Sequence, residues 1–269
     1  MKPRISRSRF SIGHSTLMIL MKFDNCISKG KLKSVYLKDG KAIKVFDKKY
    51  NKSDVLYEAL NTSRVEDAKA DVPKLLSVDV IDGQWCITSE YVEGSTLAEL
   101  MKAHPKKMDT YLQQMVDLQL SIHSKRNPLM IRLKDKLIRQ INDLDCIDST
   151  KKYEILTRLN GMHEHSKLCH GDFSPENIIV TKSGKLVAVD WVHATQGNAS
   201  ADVARTYLLL ALNDIAVADR YLDIFCAKSG TAKNYVQNWL PIVAAAQLDK
   251  KRPEEKELLT KWIDVVNFE

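Results

Sequence analysis

A polar loop that leads into a short apolar hairpin constrains the fold of this chain more than any other feature. Residues 170–177, HGDFSPEN, place the carboxylate Asp172 five positions before the carboxamide Asn177. An apolar hairpin follows over residues 177–189 and delivers Asp190 directly after its second strand. A tight hairpin returns its second strand to where the first began. The sequence therefore predicts that Asn177 and Asp190 lie close together in one cleft with Asp172.

These three side chains are the groups that phosphoryl transfer to an alcohol requires. The reaction needs a carboxylate that accepts the proton of the attacking hydroxyl, and oxygen ligands that hold Mg²⁺ against the phosphates. Aspartate and asparagine are also common at helix caps and in turns, without any catalytic role. The occurrence of all three groups in this order favours the catalytic interpretation.

The same residues resemble two motifs of the aminoglycoside-phosphotransferase and choline-kinase-like superfamily, whose members are relatives of the protein kinases. Residues 170–177 resemble its H-G-D-x-x-x-x-N loop, and residues 188–191, AVDW, resemble its strand-borne I-D-W/F motif. The resemblance implies that Asp172 is the catalytic base and that Asn177 and Asp190 bind Mg²⁺. It also implies ATP as the phosphate donor.

Supporting roles are implied for residues outside the two motifs. Lys44, in AIK, resembles the V-A-I-K lysine that contacts the nucleotide phosphates. Its partner would be a helix glutamate, for which Glu58 is the first candidate and Glu66 a competitor. His170 is expected to shape the loop rather than carry a proton. Asp202, at the start of a later helix, is expected to brace that loop.

Two further segments resemble the nucleotide site of the same superfamily. The segment around Ser28 and Gly30 resembles the loop that covers the phosphates, but it has one glycine where protein kinases have several, so a plain basic hairpin tip is the alternative. Residues 89–94 resemble the linker between the lobes. Backbone groups of that linker, the Glu90 carbonyl and the Val92 amide, are expected to bind the adenine edge.

The apolar patterns predict an α+β chain, and the resemblance implies a bilobal protein-kinase-like fold. We expect a small antiparallel β-rich lobe with one helix over residues 1–93 and a larger helical lobe over residues 94–269. The predicted strands of the first lobe are residues 34–37, 42–46 and 85–91, and its helix is residues 53–64. The predicted helices of the second lobe are residues 97–103, 111–124, 133–144, 151–165, 201–226, 233–248 and 254–266.

Charge and cysteine content restrict the ligands and the cellular compartment that we expect for the protein. The net charge of +7 favours anionic ligands such as nucleotides, while zinc-finger spacing and RNP motifs are missing, so nucleic-acid binding is not expected. Five widely spaced cysteines predict buried, reduced thiols in the cytoplasm rather than disulfides. Residues 17–21 are too short an apolar run for a membrane span or a signal peptide, and a first strand or helix is expected there.

The acceptor is predicted to be a small hydroxyl compound. Residues 191–201 are much shorter than the activation segment of a protein kinase and lack its A-P-E ending. An aminoglycoside-like antibiotic and a metabolite alcohol such as choline, thiamine or a sugar both remain open, as does a nucleotide-binding pseudokinase or regulatory module. A cationic acceptor would need pocket acids, for which the candidates are Asp214, Asp219, Asp223, Glu254, Glu255, Glu257 and the carboxyl end at Glu269.

His163, His165 and His193 are expected on the surface or in loops. Oligomeric state and the choice between ATP and GTP are left open.

Overall fold

The N-terminal lobe is built on a five-stranded antiparallel sheet with strand order β1-β2-β3-β5-β4. The structure, a computed structural model, describes residues 23–264. The strands are β1 (Cys26–Lys29), β2 (Lys33–Lys38), β3 (Lys41–Phe46), β4 (Leu75–Ile81) and β5 (Gln84–Glu90). Strand β4 was not among the sequence predictions, because only about half of its side chains are shielded from solvent and their alternation is weak.

Two Asp-Gly turns set the register of this sheet. Asp39 and Gly40 join β2 to β3, and Asp82 and Gly83 join β4 to β5. All four residues have positive φ, between 50° and 75°. Two-residue hairpin turns require this conformation because it follows the twist of the strands. The turns place Lys44 on the central strand, paired with Val35 on one side and Ile87 on the other.

Helix α1 (Lys52–Asp67) packs on one face of the sheet. It begins one residue earlier than predicted, after Asn51, and runs three residues further. Val55 and Ala59 pack with Phe46 and Ile87, whereas Leu56 and Leu60 of the same helix are exposed. The helix therefore presents one narrow face to the sheet.

The C-terminal lobe is mainly helical. Its helices are α2 (Leu97–Ala103), α3 (Met108–His123), α4 (Leu133–Asn142), α5 (Ser149–Gly161), α6 (Ala199–Ala211), α7 (Ile215–Ser229), α8 (Lys233–Gln237), α9 (Leu240–Leu248) and α10 (Lys256–Ile263). Two small sheets lie among them. One joins β6 (Gly94–Thr96), β8 (Ile178–Thr181) and β9 (Leu186–Ala188), and the other joins β7 (Lys167–Cys169) and β10 (Thr195–Gly197).

Several predicted helix boundaries were wrong. The stretch 201–226 is two helices, because Asp214 accepts hydrogen bonds from the backbone N–H groups of Ala216 and Val217 and starts α7. The stretch 233–248 is also two helices, with Pro241 in the first turn of α9, where the missing N–H costs nothing. Helix α5 ends at Gly161 rather than at residue 165. The stretch predicted from residue 254 begins with a 3₁₀ turn, Pro253–Glu255, and its last residues lie outside the described part.

Helix α9 forms the centre of the larger lobe. All nine of its residues are buried, which suits a helix that is apolar on every side. It contacts α4, α5, α6 and α10. The surrounding helices are thereby fixed relative to one another, including α4 and α6, which carry residues of the site described below.

Other sequence predictions have mixed outcomes. The α+β fold is confirmed, and none of the helices among residues 23–264 is long and apolar enough to cross a membrane. All five cysteines are free, but the prediction that they are buried was wrong for Cys26 and Cys146, which are exposed, and for Cys226, which is partly exposed. The predicted element over residues 17–21 lies outside the described residues. The division into two domains near residue 93 stays a prediction.

Candidate active site

The loop that follows β7 is fixed from within by His170. This ring is fully buried and lies 4.4 Å from the Trp191 ring, centroid to centroid. Its Nε2 lies 3.1 Å from the Val189 carbonyl oxygen, and the Asp172 backbone N–H donates to Nδ1 at 3.3 Å. These partners assign the proton to Nε2 of a neutral ring. Burial lowers the pKa of His170, which favours the neutral ring.

Asp202, in the first turn of α6, binds the backbone of the same loop through its carboxylate. Its Oδ1 accepts a hydrogen bond from the Gly171 backbone N–H at 2.7 Å, and its Oδ2 accepts one from the His170 backbone N–H at 3.2 Å. The side chains of His123 and Gln119 also reach Oδ2, at 2.9 and 3.4 Å. Burial by itself would raise the pKa of Asp202, but these donors outweigh it and lower the pKa. The carboxylate is a buried anchor for the loop.

Asn177 joins the loop to the hairpin. Its Nδ2 donates to the Asp172 backbone carbonyl at 2.9 Å and lies 3.4 Å from Asp172 Oδ2. The Val189 backbone N–H donates to the Asn177 carbonyl at 2.9 Å, which brings Asn177 beside the strand end that carries Asp190. Because Nδ2 is turned toward Asp172, the carboxamide oxygen is the atom left for a ligand.

Asp190 meets two lysines of the N-terminal lobe. Lys44 Nζ lies 3.1 Å from Asp190 Oδ1 and also pairs with the Glu58 carboxylate on α1. Lys33 Nζ lies 3.4 Å from Asp190 Oδ2 and 3.9 Å from Glu58 Oε2. The competing Glu66 accepts instead from the Leu75 backbone N–H. The two lobes therefore meet through a network of two ammonium and two carboxylate groups.

The pKa shifts follow from this network. Burial by itself would lower the pKa of Lys44, but the carboxylates of Asp190 and Glu58 outweigh it and raise the pKa. Burial likewise opposes the charge of Asp190, and Lys44 and Lys33 reverse that effect and lower its pKa. Both side chains are therefore charged at neutral pH.

The residues fit a divalent cation. Carboxylate and carboxamide oxygens are the ligands that Mg²⁺ prefers, and Asp190 and Asn177 offer one of each. The ammonium groups of Lys44 and Lys33 are already cations held against both oxygens of Asp190. A metal ion held by Asp190 would therefore share its carboxylate oxygens with these ammonium groups or replace them.

The remaining predicted nucleotide residues belong to the hairpin of β1 and β2 and to the segment around the end of β5. Ser28 is exposed on β1, and Gly30 forms the turn to β2, where its N–H donates to the Lys33 carbonyl at 2.8 Å. Glu90 ends β5 and pairs through its exposed side chain with Lys74, while Val92 lies in the irregular segment before β6. The segment leads into β6, whose first residue, Gly94, pairs with Thr181 of β8. A Cβ on Gly94 would lie 2.2 Å from the Val180 carbonyl oxygen.

The sequence interpretation missed a group of cations on the other side of Asp172. Lys250 and Arg205 lie 3.5 and 3.7 Å from Asp172 Oδ1. Lys136 on α4 donates to the His193 carbonyl at 3.1 Å, and its ammonium interacts electrostatically with Asp172 and both other cations. We call Lys136, Arg205 and Lys250 the basic cluster. One signal was available, because Arg205 stands in the largely apolar stretch 201–212, where a solvated charge is not expected.

His193 lies in the segment between β9 and β10, one of the two settings predicted for it, and it is partly buried. It lines a cavity of about 50 Å³ together with the basic cluster. Burial, followed by repulsion from Lys136 and Lys250, lowers the pKa of His193 to about 3, so the ring is neutral.

The candidate acids that the structure describes have other partners or lie in solvent. Asp214 caps α7, Asp219 accepts from Tyr207, Asp223 pairs with Lys233, Glu255 with Arg252 and Glu257 with Lys261, while Glu254 is exposed. Glu269 lies outside the described residues.

Gly171 is shaped by its contact with His193. Its φ is +78°, and a Cβ at this position would lie 2.5 Å from the His193 carbonyl oxygen. The same carbonyl accepts the Lys136 hydrogen bond. The loop backbone at Gly171 therefore packs against His193, which lines the cavity beside the basic cluster. Only glycine fits at position 171.

Residues 29–240 match the sequence profile of the phosphotransferase enzyme family. A comparison with curated protein sequences finds no match.

Several solved structures share the fold. A thermostable mutant of aminoglycoside phosphotransferase APH(4)-Ia, in complex with ADP and hygromycin B, aligns with a TM-score of 0.65 and 15% identity, covering 88% of this chain and 89% of that one. A choline/ethanolamine kinase family protein from Mesorhizobium loti aligns with a TM-score of 0.62 and 14% identity, covering 89% and 87%. Choline kinase LicA from Streptococcus pneumoniae aligns with a TM-score of 0.60 and 15% identity, covering 87% and 86%. At these identities the likeness shows the bilobal protein-kinase-like fold.

Proposed function

Since this chain belongs to the phosphotransferase enzyme family, we propose that it transfers the γ-phosphate of ATP to a hydroxyl group of a small molecule. The observation that carries this proposal is the position of Asp172 between two sets of charged residues. On one side, Asn177 leads to Asp190 and Lys44. On the other side, Lys250 and Arg205 approach its carboxylate, beside a cavity that Gly171 lines. A donor and an acceptor can thus meet at one carboxylate.

Asp172 is proposed to accept the proton of the acceptor hydroxyl. Burial by itself would raise the pKa of Asp172, but Lys250 and Arg205 outweigh it and lower the pKa. The group is therefore ionised and ready to accept a hydrogen bond at neutral pH. A weak base is sufficient, because the transition state of phosphoryl transfer is loose and the proton leaves late. Its main contribution is to orient the hydroxyl toward the phosphorus atom.

Asn177 and Asp190 are proposed to hold Mg²⁺, which neutralises phosphate charge when bound. Lys44 is the group placed to bind the nucleotide phosphates, and Glu58 holds its ammonium in position. Lys33 joins this set from the hairpin that contains Ser28 and Gly30. The solved relative APH(4)-Ia binds ADP, which supports a nucleotide in the same cleft. The Glu90 carbonyl and the Val92 amide remain the proposed contacts for adenine.

A small acceptor fits the length of the segment after Asp190. Helix α6 begins at Ala199, and part of the short intervening segment is the strand β10. Such a segment offers little surface for docking a peptide. The relatives of similar fold act on or bind small molecules, as the names choline kinase and hygromycin B complex state.

The test is substitution of the base. We expect Asp172→Asn to lower kcat by about 10²–10⁴-fold, because a neutral carboxamide orients the hydroxyl less strongly than a carboxylate and cannot accept its proton. Stabilisation by Mg·ATP in a thermal-shift assay should persist. The matched control is Asp135→Asn, an exposed residue of α4. ADP release is measured with a panel of alcohols. Full activity of Asp172→Asn would refute the assignment of the base.

A further inference from the structure

The basic cluster is assembled from three separate parts of the C-terminal lobe. Lys136 lies on α4, Arg205 on α6, and Lys250 follows the end of α9. These elements are held together by the buried helix α9. The side chains of Arg205 and Lys250 are only 12% and 25% exposed, so they are not simply solvated surface charges.

The cluster is not neutralised by the described residues around it. Asp172 is the carboxylate that it faces at ion-pair distance. Asp202 is already engaged by four N–H groups. Lys136 donates to a carbonyl rather than to a carboxylate. Glu255 also attracts Arg205 electrostatically, but this carboxylate is paired with a fourth cation, Arg252. The three cations of the cluster thus face one carboxylate that no other described cation outside the cluster pairs with, in a partly buried site, which is costly unless another anion completes it.

Mutual repulsion is visible in the pKa values of the cluster. Burial, followed by repulsion from Arg205 and Lys250, lowers the pKa of Lys136 to about 8. Burial and repulsion from Arg205 also lower the pKa of Lys250. The lowered pKa values of these two lysines agree with the excess of cations over carboxylates in the cluster.

The cluster lies on the acceptor side of the base and not on the nucleotide side. Arg205 and Lys250 both approach Oδ1 of Asp172, whereas Asn177 approaches Oδ2. The nucleotide-side lysines, Lys33 and Lys44, come from the N-terminal lobe and contact Asp190.

A cavity lies between the members of the basic cluster. Its volume of about 50 Å³ is lined by all three members and by the neutral ring of His193. This volume exceeds the space that a single water requires and suits one small anionic group. The imidazole adds a hydrogen-bonding group without adding charge.

We propose that the acceptor carries an anionic group, a phosphate ester or a carboxylate, which binds to Lys136, Arg205 and Lys250 and presents the acceptor hydroxyl to Asp172. The inference rests on the proposed function, since it names the substrate class of that site. It disfavours aminoglycosides and choline, whose cationic groups would be repelled here.

The first experiment compares acceptors that share a three-carbon chain with hydroxyl groups and that are neutral or anionic at one end. Glycerol, glycerol 3-phosphate and glycerate are tested with Mg·ATP in an ADP-release assay, beside choline and kanamycin. We expect at least one of the two anionic alcohols to give kcat/KM at least about tenfold above glycerol, as charge-assisted contacts predict. The better of the two identifies phosphate or carboxylate. Preference for choline or kanamycin would overturn the proposal.

The second experiment removes one cation. Lys250→Met should raise KM for the anionic acceptor by at least about tenfold and leave KM for ATP within about twofold. The control is Lys251→Met, which removes the same charge from an exposed neighbour. A second pair, Lys136→Met against Lys134→Met on the same helix, covers the case in which Lys250→Met fails to fold. A rise in KM for ATP alone would mean that the cluster serves the nucleotide, contrary to the proposal.

A binding measurement separates this inference from the proposed function. Inorganic phosphate is titrated into protein saturated with Mg·AMP-PNP, which fills the nucleotide site. We expect phosphate to bind the wild type and Lys251→Met, and Lys250→Met at least about tenfold more weakly. Equal binding to both variants, or none to the wild type, would overturn the inference. Lack of any stabilisation by Mg·AMP-PNP would count against the proposed function instead, while phosphate binding to the basic cluster could still be measured.

Discussion

Substitution of Asp202 by asparagine tests how strongly one buried carboxylate supports the catalytic loop. The carboxylate accepts hydrogen bonds on both oxygens, with the Gly171 N–H on Oδ1 and the His170 N–H, His123 and Gln119 on Oδ2. Asparagine has a single acceptor oxygen. Even in the better orientation, with the oxygen toward the three donors, its NH₂ group faces the Gly171 N–H at the position of a 2.7 Å bond.

The free-energy cost can be worked from these contacts. Loss of one hydrogen bond to a charged group costs about 1.5–3 kcal/mol, and the bonds that remain lose roughly half their strength with the charge. We therefore expect Asp202→Asn to lower the free energy of unfolding by about 3–5 kcal/mol, the range found when a buried ionic contact is broken. For a domain of this size the melting temperature should fall by roughly 6–20 °C.

Thermal unfolding followed by circular dichroism measures the effect, and Asp214→Asn is the control. Asp214 also accepts backbone N–H bonds, at the exposed start of α7, where asparagine caps equally well. The control should change stability by less than about 0.5 kcal/mol. A cost for Asp202→Asn no larger than that of the control would refute the role of Asp202 as the anchor.

The pH dependence gives a second check on the same variant. Because the folded-state pKa of Asp202 is lowered, its stabilisation is present above the unfolded value of about 4 and is lost as pH falls through the folded pKa. The difference between the wild type and Asp202→Asn should therefore be constant from pH 5 to 8 and shrink below about pH 4. A difference that grows on acidification would contradict the assignment.

Gly171→Ala should cost more than about 2 kcal/mol and lower kcat by at least about tenfold, because its Cβ would meet the His193 carbonyl; thermal unfolding and ADP release measure both effects. Its control is Gly184→Ala, which has a similar φ of +82° but open space around it, so about 1 kcal/mol is expected and no loss of activity. With an anionic acceptor, kcat/KM should fall as pH rises through about 8, since burial and the neighbouring cations lower the pKa of Lys136 and only its charged form attracts the anion. Lys136→Met should lack this decline, and an unchanged profile would contradict it.

Local connectivity explains which part of the site could be predicted from the sequence. The hairpin between β8 and β9 spans few residues, so the proximity of Asn177 to the strand end before Asp190 follows from the chain itself. The Asp-Gly turns likewise fix the strand that carries Lys44. Short-range geometry left few alternatives at these positions.

The basic cluster depends on packing that no local pattern records. Lys136 and Lys250 lie more than a hundred residues apart in the sequence, and they come together only because α4 packs against α9, the helix that Lys250 follows. In the sequence each is one lysine among many on amphipathic segments, where a solvated charge is the usual outcome. The split of residues 201–226 into α6 and α7 was missed for a related reason, because apolar residues continue across the break while Asp214 stops the hydrogen-bond ladder.

Helix α1 contacts both the lysine network at Asp190 and the segment that precedes His193. Glu58, which holds Lys44, and Asn61 lie one turn apart on this helix, and Asn61 Nδ2 donates to the Val192 carbonyl at 2.9 Å. Val192 precedes His193, whose carbonyl rests between Gly171 and Lys136. Because Glu58 and Asn61 lie on one turn of the helix, a rotation of α1 that shifts Glu58 would also move Asn61 and its contact with Val192. The proposed nucleotide site and the proposed acceptor cavity are therefore linked through α1.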